Sequence, residues 1–329
     1  MEKEKDPSTM KFGVNFATYG FPSFNSLLEA SVEAEKLGFD ALWVPDHLFL
    51  PERVYRAIKS TERRDTFETW TTLIAMAVVT KRVKLGPCVS PIPLRNPAIL
   101  AKTVATLDNL SKGRFIFGAG AGWFAEEFQG YGVPWDSFPV RIAKMREGIT
   151  LMKKLWIEAS TSHQGRYYTL KDAALWPKPV QKPHPPIWFG GRSDAILKAT
   201  AELGDGWITF SMPSQEFKEK YTKIGTLAKK LGRKPSEIKP ACNLITSVSK
   251  DYDAAQGLAE YYVTNFFGKP LNQVGDFIAY GKPDDCIQKI ENFIKVGAVH
   301  VTLRPMRNED IPSFLKLYGK HIIPYFKEK

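Results

Sequence analysis

Several short stretches of this chain carry residue types that chemistry needs, and they lie far apart in sequence: Asp46 with His47, the glycines Gly118, Gly120 and Gly122, the turn Gly190, Gly191, Arg192 and Ser193, and Arg304. An imidazole at the end of a strand can give a proton to a reacting group, or take one from it, near neutral pH. A histidine there also serves simply to satisfy core polar groups. Asp46, beside it, either orients loop backbone or caps. Closely spaced glycines let a flat ligand approach backbone N–H groups, or serve only as turn residues. The run GAGAGW is not the dinucleotide fingerprint, since its third glycine comes one residue early. Glycines, an arginine and a hydroxyl ahead of a helix form an anion site, because exposed N–H groups and the helix dipole both favour negative charge. Ser193 equally suits a plain N-cap. Arg304 can pair with an anionic substrate or cofactor tail, or close the structure with a salt bridge.

Strands and helices must bring these residues together. Val83 to Phe128 reads as strand, loop, helix, strand, loop. Val83 to Cys88 is a short apolar run that ends before Pro91 and Pro93, as a buried parallel strand would. Pro97 suits the first turn of a helix whose apolar residues Ile99, Leu100, Val104, Leu107 and Leu110 recur at three- and four-residue spacing, and Gly113 stops it. Phe115 to Phe117 is the next strand. Earlier, Phe12 to Phe16 reads as a strand, Ser23 to Leu37 as a helix closed by Gly38, and Ala41 to Pro45 as the strand that delivers Asp46 and His47. Leu48 to Phe67 is a long connection with Arg53, Arg56, Lys59, Arg63 and Arg64, and Gln129 to Pro139 is a second loop over the mouth. Later strands are expected at Pro186 to Phe189, Gly206 to Phe210, Lys239 to Val248 and His300 to Leu303, with helices between them. The alternation predicts a (β/α)8 TIM barrel, an α/β fold whose ligands sit beyond the carboxyl ends of the strands. Residues 157–186, rich in proline, read as an insertion at the mouth; residues 1–10 read as a disordered tail, and 11–329 as one domain.

Composition narrows the function classes. A chain of 329 residues suits one large barrel better than two ordinary domains. No apolar run approaches the roughly 20 residues needed to cross a bilayer, and MEKEKDPSTM has no apolar core, so a cytoplasmic protein without a membrane partner is expected. The net charge of +11 is spread as alternating Lys and Glu along helices such as Glu216 to Lys230, not as a basic stripe with aromatics, which argues against nucleic acid. Cys88, Cys242 and Cys286 are far apart, and the histidines show no paired ligand spacing, so neither disulfides nor a metal is expected.

The segments GFDALWVPDHL, RNPAILAKTVATLDNLSKGR, GAGAGWFAEEF, KPHPPIWFGGRSD and GDGW, in that order, resemble the bacterial luciferase-like flavin and deazaflavin oxidoreductases. The resemblance is strong from about Lys11 to about Phe210. It implies a barrel that holds the deazaflavin coenzyme F-420 (F420), or alternatively FMN, at its carboxyl-end mouth. The implied activity is hydride transfer between F420 and a small organic substrate. The alternatives are an FMN monooxygenase fed by a separate flavin reductase and a non-catalytic flavin-binding barrel. The resemblance implies that His47 lies near the reacting ring and that Cys88 and Val89 form a bulge with a cis peptide beneath it. Gly120, Gly122 and the turn Gly190 to Ser193 are then cofactor contacts, and Trp123, Glu127 and Arg304 substrate contacts. A homodimer is also expected. Family members that oxidise a sugar phosphate place a tryptophan four residues beyond the histidine and an acid directly after the glycine turn. Here those positions hold Pro51 and Trp123, so that substrate is not expected and Glu126 or Glu127 would have to supply the acid.

Overall fold

The computed structural model describes residues 10–59 and 65–327. Residues 1–9 of the expected tail, and Arg63 and Arg64 of the long connection, lie outside the described residues. In chain order the strands are β1 (Lys11–Asn15), β2 (Ala41–Val44), β3 (Lys84–Pro87), β4 (Ser90–Pro91), β5 (Phe117–Gly120), β6 (Thr161–Gln164), β7 (Thr169–Ala173), β8 (Ile187–Gly190), β9 (Gly206–Phe210), β10 (Lys239–Val248), β11 (Ile278–Gly281) and β12 (His300–Pro305). The helices are α1 (Phe24–Lys36), α2 (Glu52–Ala57), α3 (Thr69–Val79), α4 (Pro97–Leu110), α5 (Ala125–Gly130), α6 (Phe138–Ile157), α7 (Asp194–Leu203), α8 (Ser214–Lys230), α9 (Tyr252–Phe267), α10 (Pro283–Lys295), α11 (Ile311–Leu317) and α12 (Ile323–Lys327).

A parallel sheet runs β3-β2-β1-β12-β10-β9-β8-β5-β4, with β11 paired to β10 outside that path. The ring closes where Leu85 N–H donates to Arg114 O at 3.0 Å and Ile116 N–H donates to Leu85 O at 2.8 Å. Since β3 and β4 are the halves of one stave, interrupted at Cys88 and Val89, the ten-stranded sheet forms the eight-stave barrel that the alternation predicts. The Cys88–Val89 peptide is cis, as expected. The antiparallel pair β6 and β7 forms a separate two-stranded sheet.

Strand side chains alternate between two environments, because successive Cβ atoms point to opposite faces. Phe12, Val14, Leu42, Leu85, Phe117, Phe189 and Leu303 pack outward with the helices in the main core. Trp43, Trp188, Ile208, Ala241 and Ile116 form an inner cluster, and Cys88 and Val89 rest on it. The centroids of Trp43 and Trp188 are 5.3 Å apart, and Trp43 Nε1 donates to His300 Nε2 at 3.1 Å. This plug fits because glycines face it: a Cβ on Gly13 would meet Trp43 at 2.8 Å, and one on Gly206 would meet Trp188 at 2.5 Å. Buried indoles of this kind contribute about 3 to 5 kcal/mol each relative to alanine.

Local signals set the helix ends near the site. Asn96 accepts N–H bonds from Ala98 and Ile99 at the start of α4, with Pro97 at its first position. Ser23 does the same for α1 through Ser26 N–H. Gly38 and Gly113, at φ +86° and +77°, take the left-handed conformation beyond α1 and α4. Four readings change. The strand expected at Phe115 to Phe117 instead begins at Phe117 and runs through Gly118 to Gly120, because Val89 fills the space where side chains would stand. The Leu48 to Phe67 connection contains α2, and α5 reaches into the loop expected after Phe128; both helices have six residues, too few to show a period. The strand β11 went unseen because IAYG is only four residues long and lacks alternation. No helix among the described residues is long and apolar enough to cross a membrane.

Candidate active site at the barrel mouth

The carboxyl end of β2 presents two acidic contacts of different kinds. Asp46 is 1% exposed. Its Oδ2 accepts from Ser90 Oγ at 2.5 Å, Trp70 Nε1 at 3.2 Å and Arg95 Nε at 3.2 Å, while Oδ1 accepts from Arg95 Nη2 at 2.7 Å. Arg95 Nη2 also meets Glu68 at 3.1 Å. A two-pronged arginine, a hydroxyl and an indole therefore occupy both oxygens, and the loop after β2 is pinned to β4 and α3. His47 is turned the other way. Its Nδ1 lies 3.2 Å from both oxygens of Glu127, which is 1% exposed and also accepts Leu48 N–H at 2.6 Å. Trp123 stands edge-on to the imidazole at 5.5 Å and is 50% exposed, with the Arg53 guanidinium 5.4 Å from its ring.

Where the stave is interrupted the barrel wall is shaped by Val89. A Cβ on Gly190 would fall 2.5 Å from Val89 Cγ2, one on Gly120 would fall 2.7 Å from the same atom, and one on Gly118 would fall 1.9 Å from Pro87 O. These glycines thus admit the interrupted stave itself, with the Val89 side chain packed against them. Gly122, at φ +81°, serves the turn into α5, where a Cβ would strike the Phe128 ring at 2.6 Å.

Beyond β8 the turn leads straight into α7. Ser193 is its N-cap and accepts from Ile196 N–H at 3.4 Å. Gly191, at φ +127°, has its carbonyl held by Trp207 Nε1 at 2.7 Å. Arg192 is exposed. The first-turn N–H groups of α7 therefore lie beside a rim arginine.

The wall made by β1, β10 and β12 is polar. Val14 pairs with Leu303, so Asn15 and Arg304 stand side by side and face inward. Neither polar atom of the Asn15 amide has a protein partner, nor do Asn243 Oδ1, Thr302 Oγ1 or Tyr262 OH, all of them buried. Arg304 donates to Tyr19 OH and lies 5.5 Å and 6.0 Å from the Phe210 and Phe266 rings. Burial pushes the Cys88 thiol up to about 12, against the opposing pull of Arg304 and the Asn243 amide, so it is neutral at physiological pH. Burial likewise pushes the Tyr262 phenol up to about 12, so it remains a hydrogen-bond donor.

The structure brings His47, Glu127 and Trp123 into one cluster, sets Val89 against Gly120 and Gly190, and pairs Cys88 with the Asn243 amide. Asp46 points to Arg95, away from His47. Sequence reasoning missed Tyr19, Asn243, Tyr262 and Arg95; the polar Asn243 within the apolar run of β10 was the available signal.

The luciferase-like monooxygenase profile matches residues 8–275, spanning β1 to α9. The chain belongs to this family. Among its relatives, the F420-dependent glucose-6-phosphate dehydrogenase of Amycolatopsis mediterranei is 27% identical over 91% of this chain and 93% of that protein. The 5,10-methylenetetrahydromethanopterin reductase of Methanopyrus kandleri is 26% identical over 90% and 93%. An F420-dependent secondary alcohol dehydrogenase solved with an F420-acetone adduct superposes with a TM-score of 0.84 at 26% identity, covering 95% of this chain and 98% of that one. The protein is thus an oxidoreductase of the luciferase-like family.

Proposed function

We propose that this luciferase-like enzyme transfers a hydride between bound F420 and a small organic substrate. The observation that carries the reading is the cluster at the end of β2, an imidazole backed by a buried carboxylate. The residues fit the cofactor. Val89 offers an apolar support for a flat ring, the unpaired Asn243 Oδ1 awaits a polar partner, and the turn Gly190, Gly191, Arg192 and Ser193 suits a phosphate. Bound F420 supplies the carbon that gives or takes the hydride. His47 handles the accompanying proton. With both Glu127 oxygens on Nδ1, Nε2 is the ring nitrogen left for the substrate. Glu127 is then the group that orients His47, Asp46 holds the loop through Arg95, and Trp123 and Arg304 border the substrate. The identity of the relatives supports F420 over FMN. Use of FMN with a separate reductase is the second reading, supported by the monooxygenase description of the family. A cytoplasmic homodimer is part of the proposal, the dimer resting on the family resemblance alone.

The test is to titrate the purified protein with F420 and with FMN, then to compare wild type with His47→Asn. Tight F420 binding is expected, with turnover in the variant reduced about 100-fold and cofactor affinity retained. Binding of FMN with exclusion of F420 would move the protein to the second reading. Full turnover in His47→Asn would remove His47 from the chemistry.

A further inference from the structure

The mouth holds a cation for which no described residue supplies an anion. Arg304 is partly buried, and no described carboxylate lies within ion-pair distance of it; its near neighbours are the Tyr19 hydroxyl and the Phe210 and Phe266 rings. Beside it the 1% exposed Asn15 amide faces inward with both polar atoms unpaired. A guanidinium in such surroundings calls for a negative partner, and an unpaired buried amide calls for a hydrogen bond. Arg95 is different, since Asp46 and Glu68 match it. Arg53 and Arg192 lie on the exposed rim.

We propose that the β1 and β12 wall binds the carboxylate of a small organic acid, with Arg304 and Asn15 on the carboxylate and Tyr262, Phe210 and Phe266 around an apolar body. The choice of carboxylate over phosphate follows from charge and shape. One guanidinium balances one negative charge, and the guanidinium fork matches a planar carboxylate through two parallel N–H bonds. A phosphate monoester carries nearly two charges and would need a second cation at this depth. This inference rests on the hydride-transfer reading only in making the acid the substrate beside F420.

Calorimetry with benzoate, phenylacetate and hexanoate, and with benzamide and phenyl phosphate as controls, on cofactor-free and F420-loaded protein, tests it. Wild type should bind the carboxylates at least 10-fold more tightly than benzamide or phenyl phosphate. In Arg304→Gln that binding should fall by on the order of 10- to 100-fold while F420 affinity stays within about twofold. Arg304→Lys, which keeps the charge and loses the fork, should fall in between, and its fold can be checked independently by circular dichroism. Equal binding of acids and amides, or tighter binding of phenyl phosphate, would overturn the proposal. A loss of F420 affinity in Arg304→Gln without any acid binding in wild type would overturn it too, because the missing anion would then belong to the cofactor. Acid binding that depends on Arg304 in a protein that does not bind F420 would uphold this site and refute the hydride-transfer reading.

Discussion

Replacing Gly190 by alanine tests the claim that the glycines of the mouth exist to admit Val89. The added Cβ would lie 2.5 Å from Val89 Cγ2, 2.7 Å from Cγ1 and 3.2 Å from Cβ. Rotating Val89 gives no relief, because its methyl groups also stand against Gly120 and Gly118 and a β-branched side chain has few rotamers. Overpacking of this kind costs about 1 to 3 kcal/mol. Val89→Ala alone removes two methyl groups from a partly buried site, worth roughly 1.6 kcal/mol at about 0.8 each. In the double variant the 2.5 Å and 2.7 Å contacts are gone and only the 3.2 Å contact to the Cβ of residue 89 remains, so its destabilisation should fall at least about 1 kcal/mol below the sum of the two singles. Equilibrium urea unfolding of the four proteins, followed by tryptophan fluorescence, measures the cycle. Gly257→Ala is the control: it lies within α9 with nothing within 4 Å of its added Cβ, and should stabilise by about 0.5 to 1 kcal/mol. Additive costs for Gly190→Ala and Val89→Ala, within about 0.5 kcal/mol, would refute the steric argument.

Acid should expose His300. Burial holds its imidazole at about 4, below the ordinary 6.5, so between those values the unfolded chain takes up a proton that the folded chain refuses. Stability contributed at this position is present above pH 6.5 and lost as the pH falls, by about 1.4 kcal/mol per unit and roughly 3 kcal/mol across the window. His300→Gln retains an acceptor for Trp43 Nε1 and should flatten the stability profile between pH 6.5 and 4; equal slopes in the two proteins would count against it. Asp46→Asn leaves Arg95 short of a charge and should cost roughly 2 to 4 kcal/mol in urea unfolding, whereas unchanged stability with lost turnover would make Asp46 a group that touches the substrate.

The order of strands and helices, and hence the barrel, was legible in the sequence because it is written in local periods: apolar spacing in α4, Asn96 and Pro97 at its start, Gly38 and Gly113 at helix ends. The strand-end positions of His47, the Gly190 to Ser193 turn and Arg304 were legible for the same reason. What the local pattern does not encode is the partner on another stave, since that depends on where the ring closes and which face each residue turns inward. Asp46 and His47 are neighbours in sequence, yet alternation along the chain sends one carboxylate to Arg95 and Ser90 and the next imidazole to Glu127. Three glycines that read equally as ligand platform or turn stand against Val89 and Pro87, or in the turn before Phe128, because the interrupted stave of a neighbouring strand bulges into them. Arg304 read equally as a salt bridge or an anion site; the folded barrel surrounds it with the Asn15 amide, the Tyr19 phenol and the Phe210 and Phe266 rings, and no described carboxylate lies within ion-pair distance.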